Sequence, residues 1–194
     1  FVFADEIPDN NRLDSFLECE ICFGHVSPKW LASTTKLKWV QLQSVGFGEY
    51  QNVVNQSNFV MTNLRDFFSV PVVESTLAGI MALYRGIDQF VEDKQLKNWR
   101  GSAMRPNLQI LRDKKILILG GGSIGKQLRK VFGAFDTHII VYGTKPINSD
   151  ICTLVELDRA LSQVDIVVSC LPGTKQTIGL IDRHRLSLFR PNTL

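Results

Sequence analysis

The sequence predicts an α/β protein built from two parallel β-sheets. Short apolar runs alternate with amphipathic segments in two regions of the chain, and a long amphipathic segment lies between them. In the second region a cluster of glycines stands between an apolar run and a helical pattern. Strands that alternate with helices pair in parallel, because each helix carries the chain back to the edge where the next strand begins.

Residues 1–72 form the first region. Runs rich in apolar and β-branched residues predict strands over 1–7, 20–24, 37–43 and 58–63. Apolar residues at helical spacing predict short helices over 11–18 and 27–34. The second helix begins at Ser27 and Pro28, a capping residue followed by an imino acid suited to the first helical turn.

One long helix is predicted over about residues 72–96. It follows Pro71 and carries Glu74 in its first turn, where the helix dipole favours negative charge. Its apolar stripe comprises Leu77, Ile80, Tyr84, Ile87 and Val91. A helix of this length between two α/β regions is typical of a connector between domains, and the stripe is equally compatible with a plain core helix.

The second region repeats the alternation of strands and helices. Strands are predicted over 115–119, 138–142 and 165–170, and helices over 123–135, 154–162 and near 182–189. The first of these helices is predicted to face inward through Ile124, Leu128, Val131 and Phe135. This βαβαβ order is one mononucleotide-binding half of a doubly wound sheet.

Gly120, Gly122 and Gly125 form a GxGxxG motif between the first of these strands and its helix. In order, these glycines allow a tight turn, a close approach of the backbone to a diphosphate, and close packing of helix on strand. The free N–H groups at the helix start, around Ser123 and Ile124, are expected to face the phosphates.

Two alternatives compete with a dinucleotide site at these glycines. Residues 120–126 also match GxxxxGK, most of a Walker A loop, but Gln127 stands where that loop needs Ser or Thr to hold Mg²⁺. A glycine-rich packing turn without a ligand is the other alternative. The position of the motif inside a βαβ unit favours dinucleotide binding.

The cofactor is predicted to be NAD or NADP, with NADP favoured. The acid that binds the ribose of NAD should end the second strand, and Thr144 and Lys145 stand there instead. A lysine attracts the 2′-phosphate of NADP, whereas a carboxylate repels it. The alternative is that Lys145 is a solvated loop residue and NAD binds through its remaining contacts.

Composition argues against several other functions. The chain has 194 residues, 44% hydrophobic and 21% charged, with a net charge of +3 and no basic block, so neither nucleic acid nor membrane is an expected partner. No signal peptide is visible, and the cytoplasm is the expected location. Cys19 and Cys22 form a CxxC without a second ligand pair, so no metal is expected and the cysteines are interpreted as structural.

Four segments together resemble the D-isomer-specific 2-hydroxyacid dehydrogenases, which include phosphoglycerate dehydrogenase, D-lactate dehydrogenase, glyoxylate/hydroxypyruvate reductase and formate dehydrogenase. The segments are LKWVQLQSVGFG (37–48), VMTNLRDFFSVPVVESTLAGIMALYR (60–85), ILILGGGSIGKQLRKVFGAF (116–135) and LDRALSQVDIVVSCLPGTKQTIGLID (157–182). The resemblance implies a flavodoxin-like substrate-binding domain over 1–72 and an incomplete Rossmann NAD(P)-binding domain over 73–194. It also implies hydride transfer between a nicotinamide and the C2 atom of a small 2-keto or 2-hydroxy acid.

The resemblance assigns roles to further residues. Val45 and Gly46 would offer backbone N–H groups to the substrate carboxylate, and Phe47 would wall the pocket; a simple loop is the alternative. Cys170, Leu171 and Pro172 would run beside the cofactor, and Thr177 would reach the phosphates or cap local backbone. The long helix with Trp99 would lie in a homodimer interface.

No catalytic residue is assigned. The family uses an arginine, an acid and a histidine in segments expected beyond Leu194, and His25, His138 and His184 match none of these positions. The chain is therefore expected to be a fragment that does not turn over substrate alone. The alternative function is a non-catalytic dinucleotide-sensing protein, similar to the corepressors that share this fold.

Overall fold

The computed structural model describes residues 3–56 and 58–194 and divides into two compact units. Unit 1 comprises Phe1–Phe68 with Pro172–Thr174, and unit 2 comprises Ser69–Leu171 with Lys175–Leu194. Each unit has a three-stranded sheet in which all strands are parallel. The predicted α/β class with parallel sheets is therefore confirmed.

Unit 1 alternates short strands with short helices. Its elements are α1 (Arg12–Leu17), β1 (Ile21–Phe23), α2 (Pro28–Ser33), β2 (Trp39–Gln41), α3 (Gln51–Val54) and β3 (Val60–Thr62). The strands lie in the order β1-β2-β3. Val40 and Leu42, in and just after the central strand, are fully buried among Phe16, Leu31 and Tyr50. Three of the predicted strands and both predicted helices are thus present, each shorter than its pattern.

The strand predicted over residues 1–7 is wrong where the structure describes the chain. Ala4–Glu6 form a 3-10 helix, and a second one spans Asp9–Asn11. Pro8 lies between them and has no N–H to donate to a sheet ladder. Phe1 and Val2 lie outside the described residues.

Unit 2 carries the longer elements. In chain order they are α4 (Ser69–Tyr84), α5 (Ile87–Gln95), β4 (Lys115–Leu119), α6 (Ser123–Gly133), β5 (His138–Tyr142), α7 (Leu154–Leu161), β6 (Ile166–Ser169) and α8 (Arg183–Ser187). The sheet order is β5-β4-β6, so the chain crosses back over β4 between β5 and β6. The βαβαβ prediction holds in this part of the chain.

The central strand β4 is buried on both faces because helices cover each side of the sheet. Ile116 and Ile118 pack with α4 and α6, whereas Leu117 and Leu119 pack with α7. All four are at most 1% exposed. A strand that is apolar at every position is the sequence signature of such a doubly covered parallel sheet.

The single helix predicted over 72–96 is interrupted in the structure. Gly86, the N-cap of α5, has φ +62°, a left-handed conformation that separates α5 from α4. The predicted stripe ends at the same point, since Ile87 is 49% exposed and Val91 is 52% exposed. Because α4 begins at Ser69, Glu74 is not in its first turn, contrary to the prediction.

Within the described residues, no helix is both long and apolar enough to cross a membrane.

Candidate functional site

The glycine motif forms a sharp turn between β4 and α6. Gly120 follows β4 with φ +116°, a conformation that favours glycine, and its N–H donates to the Tyr142 carbonyl at 2.8 Å. Gly122 is the N-cap of α6. The turn therefore lies at the carboxyl ends of neighbouring parallel strands, where open α/β sheets bind ligands.

The three motif glycines have different surroundings. A Cβ at Gly125 would overlap the Gly120 carbonyl oxygen, and one at Gly120 would lie 3.1 Å from the Cys170 carbonyl oxygen. A Cβ at Gly122 would meet nothing within 4 Å. Gly120 and Gly125 thus allow close packing of the backbone within the turn, whereas Gly122 leaves the face of the turn beside it open.

The start of α6 favours an anion at this open face. The first amides of a helix have no partner within it and carry the positive end of the helix dipole. The first turn of α6 contains no acidic residue that would compete for them. Gly122 is exposed, and Ser123 and Ile124 behind it are partly buried.

The loop after β5 packs against the same turn, a contact that the sequence analysis missed. Gly143 is buried and follows β5 directly. A Cβ on Gly143 would lie 3.5 Å from the Gly121 nitrogen and far too close to the Ser149 hydroxyl oxygen. A Cβ on Gly121 would collide with the Asn148 carbonyl oxygen. A glycine immediately after the second strand was the available sequence signal.

The first carboxylate that follows β5 in the sequence is engaged elsewhere. Asp150 accepts two hydrogen bonds from Arg129, at 2.7 and 3.0 Å, and one from the Val141 N–H at 2.8 Å. Burial raises the pKa of Asp150, but these hydrogen bonds and the arginine charge outweigh it and hold the pKa below its usual value. Thr144 and Lys145 are exposed on the loop, and Lys145 forms no ion pair within the described residues.

Cys170 lies directly behind the glycine turn. It follows β6, its N–H donates to Leu119, and its Sγ lies 3.3 Å from the carbonyl oxygens of Leu119 and Gly120. Burial raises the pKa of this thiol to about 11, so it stays protonated at neutral pH. Leu171 packs partly buried against the α7 side of the sheet. The Thr177 carbonyl accepts the Leu180 N–H at 3.1 Å.

In unit 1, Val45 and Gly46 form an exposed bend after β2. The Ser44 hydroxyl donates to the Gly46 carbonyl at 2.9 Å, and the Asn63 amide donates to the Val45 carbonyl at 2.7 Å. Both carbonyls are thus held by side chains, and within the described chain the Val45 and Gly46 N–H groups donate to no acceptor. Phe47 is 45% exposed.

The comparisons with known proteins bear on these two regions. The family model for the NAD-binding domain of D-isomer specific 2-hydroxyacid dehydrogenases matches residues 77–194, more than half of the chain. The chain belongs to this dehydrogenase family. The match includes β4, the glycine turn and α6, and the loop after β5.

One curated relative and one solved structure illustrate what the chain is similar to. The glyoxylate reductase of Pyrococcus furiosus is 26% identical over 173 residues, covering 82% of this chain and 50% of the reductase. D-lactate dehydrogenase from Aquifex aeolicus, complexed with NAD and lactic acid, has a TM-score of 0.78 at 21% identity and covers 96% of this chain and 57% of that one.

A second solved structure shows the same fold. The acyclic imino acid reductase Bsp5, in complex with NADPH and D-Arg, has a TM-score of 0.79 at 18% identity and covers 95% of this chain and 61% of that one. The chain spans about half the length of curated relatives such as the reductase named above.

A separate cavity of about 340 Å³ lies away from the glycine turn. Its lining includes Arg85 just after α4, Arg112 before β4 and Asp136 before β5, so it opens at the amino ends of the strands. This cavity is lined by none of the residues predicted to bind cofactor or substrate.

The three histidines are not gathered into one cluster. His25 lies 3.5 Å from the Tyr50 hydroxyl in unit 1, His138 is the first residue of β5, and His184 lies on α8. Among the described residues, no group of three or more histidine, cysteine or acidic side chains is arranged to hold a metal.

Proposed function

We propose that the protein is an NAD(P)-dependent oxidoreductase that interconverts a 2-keto acid and a D-2-hydroxy acid by hydride transfer. The observation that carries this proposal is the open face at Gly122, at the start of α6, inside the part of the chain that matches the family's NAD-binding domain. The arrangement offers unpaired amides and a positive helix dipole to a diphosphate, and no acidic side chain opposes it.

In this proposal the two regions of the chain divide the work. Residues 73–194 bind the dinucleotide, which supplies or accepts the hydride when bound. Gly120 and Gly125 hold the turn, while the amides around Gly122, Ser123 and Ile124 bind the diphosphate. Cys170, Leu171, Pro172 and Thr177 belong to the segment that follows β6.

Residues 1–72 bind the substrate in this proposal. The free N–H groups of Val45 and Gly46 match the needs of a carboxylate, which accepts hydrogen bonds only. The exposed ring of Phe47 adds an apolar wall suited to a small acid. No catalytic acid or base is assigned within the described chain.

We also propose that NADP is preferred to NAD. Gly143 places no carboxylate at the end of β5, and Asp150 is committed to Arg129 and the Val141 amide. The exposed Lys145 is then the charged residue without an ionic partner in this loop. A lysine ammonium pairs with a phosphate without demanding a fixed geometry.

A homodimer is part of the proposal. From the last turn of α4 to just after α5, several large apolar side chains face solvent, namely Leu83, Ile87, Phe90, Val91, Leu96 and Trp99, the last being 89% exposed. Large exposed apolar side chains gathered in one stretch of the chain favour an interface, because interaction sites are rich in exposed apolar surface. Light scattering coupled to size exclusion should give twice the chain mass, and a Trp99→Lys variant should shift it towards the monomer. A wild-type chain that stays monomeric at high micromolar concentration contradicts this part.

Cofactor binding tests the central proposal. NADPH and NADH are titrated against the protein by nicotinamide fluorescence, and Gly122→Ala is compared with Gly133→Ala. Neither added methyl group meets an atom within 4 Å, so both variants should fold. Only Gly122→Ala should weaken binding, by about tenfold, because its methyl group occupies the face used by the diphosphate. Equal affinity in both variants contradicts the proposal.

Turnover is tested by following absorbance at 340 nm with NADPH and glyoxylate, hydroxypyruvate or pyruvate. Oxidation of NADPH with any of these acids supports the reductase. Cofactor binding without turnover by the intact protein favours the dinucleotide-sensing alternative.

A further inference from the structure

The end of β5 is the position from which Rossmann-type sheets distinguish the two nicotinamide dinucleotides. A carboxylate there binds the ribose 2′-hydroxyl of NAD, and a cationic or donor group accommodates the 2′-phosphate of NADP. Gly143 occupies this position and provides no side chain. Its α-carbon nevertheless borders the glycine turn, since a Cβ would lie 3.5 Å from the Gly121 nitrogen.

The space beside Gly143 is filled by another residue. The Ser149 hydroxyl oxygen lies so close to the position that a Cβ on Gly143 would take that the two non-bonded atoms would overlap. The chain brings Ser149 there by reversing through the 3-10 helix Pro146–Asn148, and the Ser149 N–H donates to the Pro146 carbonyl at 3.3 Å.

The neighbour of Ser149 holds this return in place. The Asp150 side chain is clamped by Arg129 of α6, and the Asp150 N–H donates to the Val141 carbonyl at 2.8 Å. Ser149 is therefore anchored to both β5 and α6 through the next residue. Ser149 is partly buried, and its hydroxyl forms no hydrogen bond with any residue that the structure describes.

We propose that the Ser149 hydroxyl, standing in the space that Gly143 leaves at the end of β5, binds the 2′-phosphate of NADP and determines the choice of cofactor together with Lys145. This inference rests on the proposed dinucleotide binding and names the residue that recognises the phosphate. A hydroxyl donates one hydrogen bond to an anionic oxygen, and the lysine supplies the charge.

The test measures binding of NADPH and NADH, and of the fragments adenosine 2′,5′-bisphosphate and 5′-AMP, to wild type, Ser149→Ala and Ser149→Thr. Loss of one hydrogen bond to a phosphate should weaken NADPH and the bisphosphate about tenfold in Ser149→Ala. NADH and 5′-AMP should change less than about twofold. Ser149→Thr keeps the hydroxyl and should retain most of the NADPH affinity.

A second variant tests the geometry from the opposite direction. In Gly143→Asp with Ser149→Ala, the serine hydroxyl no longer obstructs the new Cβ, and the added carboxylate should favour NADH over NADPH. Gly143→Asp alone should be less stable than the double variant, because the serine hydroxyl remains in the way.

The outcomes separate this inference from the proposal on which it rests. If Ser149→Ala weakens all four ligands equally, or none, the serine does not recognise the 2′-phosphate, although dinucleotide binding stands. If wild type binds neither dinucleotide, the proposed function itself fails.

Discussion

Gly125 should be the position in the glycine turn that tolerates a side chain least. The Cβ of Gly125→Ala would lie 1.9 Å from the carbonyl oxygen of Gly120, which is backbone and cannot rotate away. Helix α6 and the turn must then separate by about 1.5 Å to restore ordinary contact, in a region packed at the density of a protein interior.

The energetic cost follows from two opposing effects. Overpacking against a rigid group costs about 3 kcal/mol, the upper part of the usual range. Alanine loses less backbone entropy than glycine on folding, which returns about 0.7 kcal/mol. The free energy of unfolding should therefore fall by about 2 kcal/mol. NADPH affinity should fall as well, because the displaced helix start no longer presents its amides as in wild type.

Gly133→Ala is the matched control, since it lies in the same helix and its Cβ would meet nothing within 4 Å. It should leave stability unchanged or raise it by up to about 1 kcal/mol. Urea unfolding followed by circular dichroism gives stability, and fluorescence titration gives affinity. If Gly125→Ala matches the control in both measurements, the close packing of α6 on the turn is not as described.

Three further experiments test an ion pair, a helix cap and a thiol of unit 2, with a control substitution in unit 1. Asp150→Asn should cost about 1 kcal/mol at pH 7, discounted because Asp150 and its arginine partner are 38% and 47% exposed. Because the folded pKa of Asp150 is lowered, its contribution is fully present above the unfolded value of about 3.9 and is lost as pH falls through the folded value. The stability difference between wild type and variant should therefore shrink in acid, and a difference independent of pH would contradict this. Thr153→Ala removes a complete capping box at the start of α7 and should lower the free energy of unfolding by about 1 kcal/mol. Ser27→Ala, at the start of α2, removes no side-chain cap and should cost less than half as much. Equal losses of stability in thermal unfolding would refute the comparison. Cys170 should react with iodoacetamide at pH 8 far more slowly than glutathione in the same reaction mixture. Its pKa of about 11 leaves about one Cys170 side chain in a thousand as the reactive thiolate at that pH. Labelling of both thiols at comparable rates, measured by mass spectrometry, would show that the Cys170 thiol is not held protonated.

Local sequence patterns were enough to place the βαβαβ segment of unit 2, but not the break between α4 and α5 at Gly86. β4 and β5 occupy the predicted residues 115–119 and 138–142, because continuous apolar runs next to glycine have few conformations other than a buried strand. The sequence also predicted the start of α6 at Ser123. The glycine spacing permits the turn, and the apolar residues at helical spacing after it indicate a helix. The N-terminal pattern was a weaker guide, because a short alternation next to Pro8 has no partner strand among the described residues.

Only the tertiary structure decided which distant groups meet at the glycine turn. Arg129 and Asp150 are 21 residues apart in sequence. Because Asp150 pairs with Arg129, the carboxylate of this loop is not available to bind a ribose hydroxyl. Ser149 and Gly143 come together because the loop reverses direction, and a reversal of six residues leaves no periodic signal. Periodicity records which face of an element is buried, whereas the contacts between loops depend on the three-dimensional path of the chain. The proposed recognition of the 2′-phosphate depends on those contacts.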